Sequence, residues 1–442
     1  MLDGRLGGED AAWLHMEEPE NPMVVNGVLE LAAPLDASVV RGRLERLAAF
    51  PRFRARIVEA PLGLGPPRWT VGDRFDLDQH VERVTLGQGD PAALQRFVGS
   101  KVSAPLPLNL PLWKAFIIDR PGAGSAIMCR IHHAIGDGFA LLHVLASLAD
   151  DAAPGTGEPP PLTATGRRAG RPPLARTALE ATRALGRLVV MPADPETLLK
   201  LPIGPEKDVA WSRPAPLAEV KRVARAASAT VNDVLVAVAA GALGRYLGRC
   251  GERTGEDLEL HAMVPVNLRR AAPTSTLGNR FGLVVLGLPV GDADPLARIA
   301  AVKARMRRIK GTPEALATHG LLRALGWAPR GVEDLGVSFF GKKASLVLTN
   351  VPGPRAPLHL AGVPISRIVF WVPQAARMGL GISIFSYAGE VTVGVIADTT
   401  LIPDPGVLIA DIQDELDRLG SIPDRDASSA ALARECTARA PH

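Results

Sequence analysis

The sequence predicts a mixed α/β fold in two halves of similar size. The chain has 442 residues, enough for two or three separate cores. Short runs rich in Val, Ile, Leu and Phe alternate with helical patterns in both halves. Between the halves lies a Pro-, Gly- and Thr-rich stretch, residues 152–173.

In the first half, residues 26–36 (NGVLELAAPLD) read as a strand ending in a turn. Asp36 is placed to cap a helix in which Val40, Leu44 and Leu47 recur at helical spacing. Residues 52–60 alternate basic and apolar side chains, as a half-exposed strand does, and residues 91–102 read as a helix. Strands at 112–119 and 125–131 flank the turn RPGAG, and a helix follows at 139–151. Residues 174–190 form a basic amphipathic pattern, with Arg176, Arg183 and Arg187 beside Leu174, Ala178, Leu185 and Leu188. Either a lipid surface or the second domain suits that apolar face. Residues 192–216 read as extended and irregular.

The second half opens on a helix at 217–227, then a long apolar helix at 230–251. Thr230 or Asn232 can cap that helix and Gly251 can end it. Strands follow at 258–267 and 278–290, a helix at 295–311 and a strand at 344–354. Residues 382–398 pattern as a hairpin around Ala388-Gly389, and a helix at 406–420 closes the fold. The expected division is a first domain at 1–151, a linker at 152–216, a second domain at 217–420 and a frayed tail at 421–442.

Composition excludes several classes. A formal charge of +4 with no basic run interleaved with aromatics gives no support for nucleic-acid binding. Cys129, Cys250 and Cys436 are far apart, which argues against a disulfide framework or a zinc site and for a reducing, cytoplasmic setting. The N-terminus lacks the basic and apolar segments of a secretory signal. No stretch approaches the apolar length of a membrane span, and FGLVVLGLPV at 281–290 is strand-length, so membrane contact is expected to be peripheral.

The chemistry concentrates in IHHAIGDG, residues 131–138. Successive strand residues face opposite ways, so one of His132 and His133 points to a site and the other supports it. Gly136 and Gly138 allow a sharp turn that brings Asp137 back beneath the pair. A neutral imidazole is a proton acceptor at cellular pH. No metal is expected, because the other histidines are scattered and three ligands must converge. Cys129 lies in an apolar strand and reads as structural.

HHAIGDG resembles the HHxxxDG motif of CoA-dependent acyltransferases. PLW (111–113), NDVLVAVAAGALGRYL (232–247), MVPVNLR (263–269), LGNRFG (277–282), TNVPGPRAPLHLAGVPI (349–365) and SYAGEVTVGVIAD (386–398) narrow the likeness. Together with DAAWLHMEEPENPM (10–23) they are similar to segments of the wax ester synthase/acyl-CoA:diacylglycerol acyltransferase family. The matches run in the family's order from about residue 10 to 415. The resemblance implies two chloramphenicol-acetyltransferase-like domains, each a mixed sheet with flanking helices, with the active site in a channel between them. It implies acyl-CoA as co-substrate, no bound cofactor, and a long-chain alcohol or diacylglycerol as acceptor.

In that frame His133 is the expected general base, with His132, Asp137 and Gly138 completing the motif. Arg269, or else Arg280, is the expected partner of a buried Asp137. Thr349 and Asn350 are candidates for the oxyanion or channel wall. Asn232 and Asp233 are candidates for the same wall or for a helix cap, and Leu112 and Trp113 for the acyl channel. No GxSxG elbow is present, consistent with direct transfer. Two other functions are set against this one: a condensation-type acyltransferase fed by a carrier protein, and a non-catalytic lipid-binding protein. The NVPGP block argues against the first, and the intact His133, Asp137 and Gly138 against the second.

Overall fold

The computed structural model describes residues 4–60, 65–72, 75–87, 90–150, 183, 186–187, 189–269, 277–310, 312–328 and 330–423. Its strands are β1 Gly4–Arg5, β2 Val24–Leu31, β3 Ala55–Val58, β4 Arg68–Val71, β5 Val81–Thr85, β6 Trp113–Arg120, β7 Gly124–His132, β8 Lys207–Trp211, β9 Ala215–Pro216, β10 Glu259–Asn267, β11 Phe281–Pro289, β12 Leu346–Pro352, β13 His359–Leu360, β14 Val363–Trp371, β15 Leu380–Tyr387 and β16 Glu390–Asp398. They form a six-stranded sheet in the order β13-β14-β2-β7-β6-β5 and a second large sheet in the order β11-β10-β12-β15-β16-β8, with β9 beside β16. A small sheet, β1-β4-β3, stands apart. The architecture is mixed α/β, sheets with flanking helices.

The first sheet is built around β7. All nine of its residues are buried, because β2 and β6 flank it and both faces are covered. Ile127, Cys129 and Ile131 enter one core, whereas Ala126 and Met128 enter another on the opposite face.

The second sheet packs on helix Val231–Arg249, whose buried small and branched residues let it lie close to the strands. A capping box holds its start: Thr230 N–H donates to Asp233 Oδ2 (2.8 Å) and Asp233 N–H donates to Thr230 Oγ1 (3.2 Å). Among the described residues, no single helix is long and apolar enough to cross a membrane.

The sheets do not divide where the sequence suggested. Strands β13 and β14, from the second half, complete the first sheet through pairing of β14 with β2. Strand β8, from the expected linker, is the edge of the second sheet. The helix expected at 139–151 is shorter, Gly138–Ala146. Most of the basic helix expected at 174–190, and the tail beyond 423, lie outside the described residues.

An unexpected N-terminal helix, Gly8–His15, packs on helix Glu314–Leu325. The approach demands glycine: a Cβ on Gly326 would overlap the Gly8 carbonyl. This contact brings Trp13 to the seam between the sheets, where it joins Met263, Phe281, Leu283, Leu322 and Phe340 in one apolar cluster.

Candidate active site

His132 ends β7, and His133, the next residue, carries the alternation into the turn. His132 N–H donates to Leu112 O (3.0 Å) and His133 N–H to Met23 O (2.8 Å), so both stay in the sheet's hydrogen-bond pattern. Their side chains part to opposite faces. His132 is fully buried. Its Nδ1 accepts the Ala134 N–H (3.0 Å), so its proton sits on Nε2 and is donated to Glu17 Oε2 (2.5 Å). Both ring nitrogens are committed, and His132 pins the turn.

His133 faces the seam between the sheets. Its ring stacks on Trp13, with centroids 4.0 Å apart and planes at 21°, and meets the edge of Phe281 at 5.7 Å. Burial pushes its pKa down to about 4, from an ordinary value of 6.5. The negative charge of Asp137 offsets part of that shift. The ring is therefore neutral near pH 7. Nδ1 is buried without a hydrogen-bond partner.

His133 lines a cavity between the two sheets. The walls are mostly apolar, including Phe139, Met263, Phe281, Leu283 and Val347, with Asn267, Thr349 and Asn350 as the polar exceptions beyond the motif. Two further apolar cavities adjoin it. One shares Gly138, Val351 and Phe370 with it and runs along helix Gly138–Ala146. The other shares Trp13, Met263, Leu283 and Ala375.

Asp137 does not hydrogen-bond to either histidine. As N-cap of helix Gly138–Ala146, its Oδ1 accepts the Ala140 N–H (3.0 Å). Its Oδ2 accepts Arg269 Nε (3.1 Å), Arg269 Nη2 (3.0 Å) and the Arg280 backbone N–H (2.9 Å). Of the two candidate arginines, Arg269 supplies the charge and Arg280 a backbone donor. Asp137 thus ties the motif to the LGNRFG loop of the second half.

Strand β12 contributes the opposite wall. Leu346 and Leu348 enter the second sheet's core, so Thr349 falls on the other face with Val347 and Val351, toward the cavity. Asn350 Nδ2 donates to Asn232 Oδ1 (3.0 Å) at the start of helix Val231–Arg249. Asn232 steadies Asn350, and Asp233 is occupied by the cap. Leu112 and Trp113 do not line the cavity with His133. Both are core residues, and Trp113 Nε1 donates to Phe53 O (2.9 Å), so the bulk that suggested a channel wall is spent on packing. Cys129 is fully buried and its thiol is pushed up to about 12, which makes it inert as a nucleophile. Among the described residues no cluster of His, Cys, Asp and Glu is placed to hold a metal ion.

Comparison with known families matches residues 6–189 to the wax ester synthase/diacylglycerol acyltransferase catalytic domain and residues 277–420 to that family's C-terminal domain. The chain belongs to the wax ester synthase/diacylglycerol acyltransferase family. It is an acyltransferase. Relatives in this family include a probable diacylglycerol O-acyltransferase, tgs1, of Mycobacterium tuberculosis, 28% identical over 94% of this chain and 96% of its own. A putative diacylglycerol O-acyltransferase of the same organism is 31% identical over 90% of this chain and 87% of its own. The fold is similar to that of the family's enzyme from Marinobacter aquaeolei VT8, with a TM-score of 0.69, 21% identity and coverage of 94% of this chain and 98% of the other. It is also similar to the first condensation domain of the calcium-dependent antibiotic synthetase, with a TM-score of 0.63, 19% identity and coverage of 96% and 97%.

Several residues that hold the acyltransferase site were not singled out from the sequence. Asn279 Nδ2 donates to His133 O (2.8 Å) and to Asp10 Oδ1 (2.8 Å). Asp10 pairs with Arg52 (2.8 Å), and Arg52 Nη1 donates to the carbonyls of Ala134 and Ile135 (3.0 and 3.1 Å). Burial raises the Asp10 pKa, and Arg52 and Asn279 oppose that rise. Glu17, Trp13 and Phe281 complete the surroundings of the histidines. The available signal was the resemblance itself: Asp10, Trp13 and Glu17 lie in the quoted N-terminal block, and Asn279 in LGNRFG.

Proposed function

We propose that this chain moves a long-chain acyl group from acyl-CoA to a fatty alcohol or a diacylglycerol, forming a wax ester or a triacylglycerol. One observation carries the proposal: His133, neutral near pH 7, sits in a largely apolar cavity between the two sheets. The relatives named diacylglycerol O-acyltransferases favour diacylglycerol among the acceptors.

The acceptor hydroxyl gives its proton to His133 Nε2 while its oxygen attacks the thioester carbonyl carbon. A C–O bond forms and the carbonyl oxygen takes up negative charge. The Thr349 hydroxyl, on the cavity wall, is our candidate donor to that oxygen. Collapse breaks the C–S bond, and the imidazolium returns its proton to the departing thiolate. His133 ends neutral and no acyl-enzyme forms. Asp137 takes no proton in this scheme, because its oxygens are engaged by Ala140, Arg269 and Arg280. The apolar lining keeps water from competing with the alcohol. The same reading places the enzyme in the cytoplasm, touching membranes or lipid inclusions only peripherally.

The test is CoA release from palmitoyl-CoA with hexadecanol or dioleoylglycerol, for wild type and His133→Ala. Acceptor-dependent release should fall by roughly 10²–10⁴ in the variant. Release that survives His133→Ala would remove the general-base role. No release with either acceptor would sink the reaction class.

A further inference from the structure

Two of the buried polar atoms that lack a hydrogen-bond partner, His133 Nδ1 and Asn279 Oδ1, belong to residues already in contact. Asn279 Nδ2 donates to the His133 carbonyl (2.8 Å). The carboxamide cannot be turned the other way round. Its nitrogen meets two acceptors, the His133 carbonyl and Asp10 Oδ1 (2.8 Å), so the unpartnered atom is an acceptor oxygen. The Asn279 backbone N–H grips the same Asp10 oxygen (3.0 Å), which fixes the residue from both ends.

An imidazole that accepts a proton at Nε2 must already carry one on Nδ1. That N–H needs an acceptor most when the ring is charged, and an unmet buried acceptor is itself costly. The carboxylates nearby are engaged elsewhere. Asp137 is held by Ala140, Arg269 and Arg280, Glu17 by His132, and Asp10 by Arg52 and Asn279. Burial does most to lower the His133 pKa, and the Asn279 side chain is among the groups that oppose it.

We propose that Asn279 is the positioning residue of His133: its Oδ1 accepts the Nδ1–H and so sets the tautomer that leaves Nε2 open to the acceptor hydroxyl. This role rests on the general-base reading of His133. The hydroxyl proton moves to Nε2, the Nδ1 proton stays where it is, and Asn279 takes up none. The amide dipole faces the charged ring until Nε2 gives its proton to the departing thiolate. The residues on either side of Asn279 serve the same end. Asp137 N–H donates to Gly278 O (3.4 Å) and Arg280 N–H donates to Asp137 Oδ2 (2.9 Å). One loop of the second half thus holds the motif's aspartate by its backbone and the base by its carbonyl and its ring.

The test uses protein carrying nitrogen-15-labelled histidine, as wild type, Asn279→Ala and Asp10→Asn. Two-bond proton–nitrogen correlation spectra near pH 7 show which ring nitrogen of His133 bears the proton, and the His133→Ala spectrum assigns the signals. Asp10→Asn loosens the same network but leaves Asn279 Oδ1 in place. His133 should be protonated on Nδ1 in wild type and in Asp10→Asn, and a mixture of tautomers in Asn279→Ala. In CoA release, kcat should fall at least about tenfold in Asn279→Ala with KM within about threefold of wild type. Protonation on Nε2 in wild type overturns the pairing. So does an Nδ1–H tautomer that persists in Asn279→Ala, or one lost equally in Asp10→Asn.

If Asn279→Ala does not fold, Asn279→Asp, of the same size, decides. A carboxylate oxygen facing Nδ1 should hold that tautomer and raise the midpoint of the His133 titration above about 4. A midpoint that stays in place overturns the pairing. If wild type transfers no acyl group at all, the reaction class fails while the spectra still decide the role of Asn279.

Discussion

His133 carries the chemistry because of what surrounds it. A pKa near 4 means that the free enzyme keeps its base down to moderately acidic pH. We expect kcat/KM to lose activity on the acid side with a midpoint near pH 4, rather than near the ordinary histidine value of 6.5. A pH–rate profile from pH 3.5 to 8 checks this, and a midpoint near 6.5 would assign the limb to another group. The same shift has a stability sign. The unfolded chain binds a proton at this histidine below about 6.5 and the folded chain does so only below about 4, so His133 weakens the fold as pH falls through that window.

Arg269 and Asp137 make a different case. Both side chains are less than a tenth exposed, and the pair is held by three donors on one oxygen. Arg269→Met leaves a buried carboxylate without its cation. Unfolding free energy from urea denaturation should drop by about 3–5 kcal/mol. A loss below about 1 kcal/mol would mean that the loop re-solvates Asp137.

Among the elements, the start of helix Val231–Arg249 separates stability from chemistry. Thr230→Ala breaks the capping box and should cost about 1 kcal/mol, read as a shift in the urea midpoint. Asn232 lies between the two capping residues but points to Asn350. Asn232→Leu should leave that midpoint nearly in place and lower turnover, since Asn350 on the cavity wall loses its partner. Equal effects of the two substitutions on stability and turnover would merge the two roles.

Much of this was legible in local pattern. The alternation of β7 separated His132 from His133, the turn Ala388-Gly389 marked its hairpin with both residues at positive φ, and Thr230 announced its helix. What stayed hidden depends on distance in the chain. Nothing near Asn279 says that it reaches the His133 carbonyl 146 residues away, or that Glu17 meets His132 across 115. Leu112 and Trp113 could be read as lining the channel or packing beside it, because an apolar pair beside a motif suits either place. Burial decided for the core.

For the molecule as a whole, the crossing of β13 and β14 into the first sheet matters beyond geometry. Strand β2 pairs with β7 on one side and with β14 on the other, and β14 ends at Trp371. A ribosome therefore releases most of the chain before the sheet that bears the histidines can close. Until then β2 offers an open, apolar edge, the kind of surface on which nascent chains aggregate. We expect neither half to fold by itself, and a chain ending before β14 to aggregate rather than form a smaller enzyme; expression of such a truncated chain checks this.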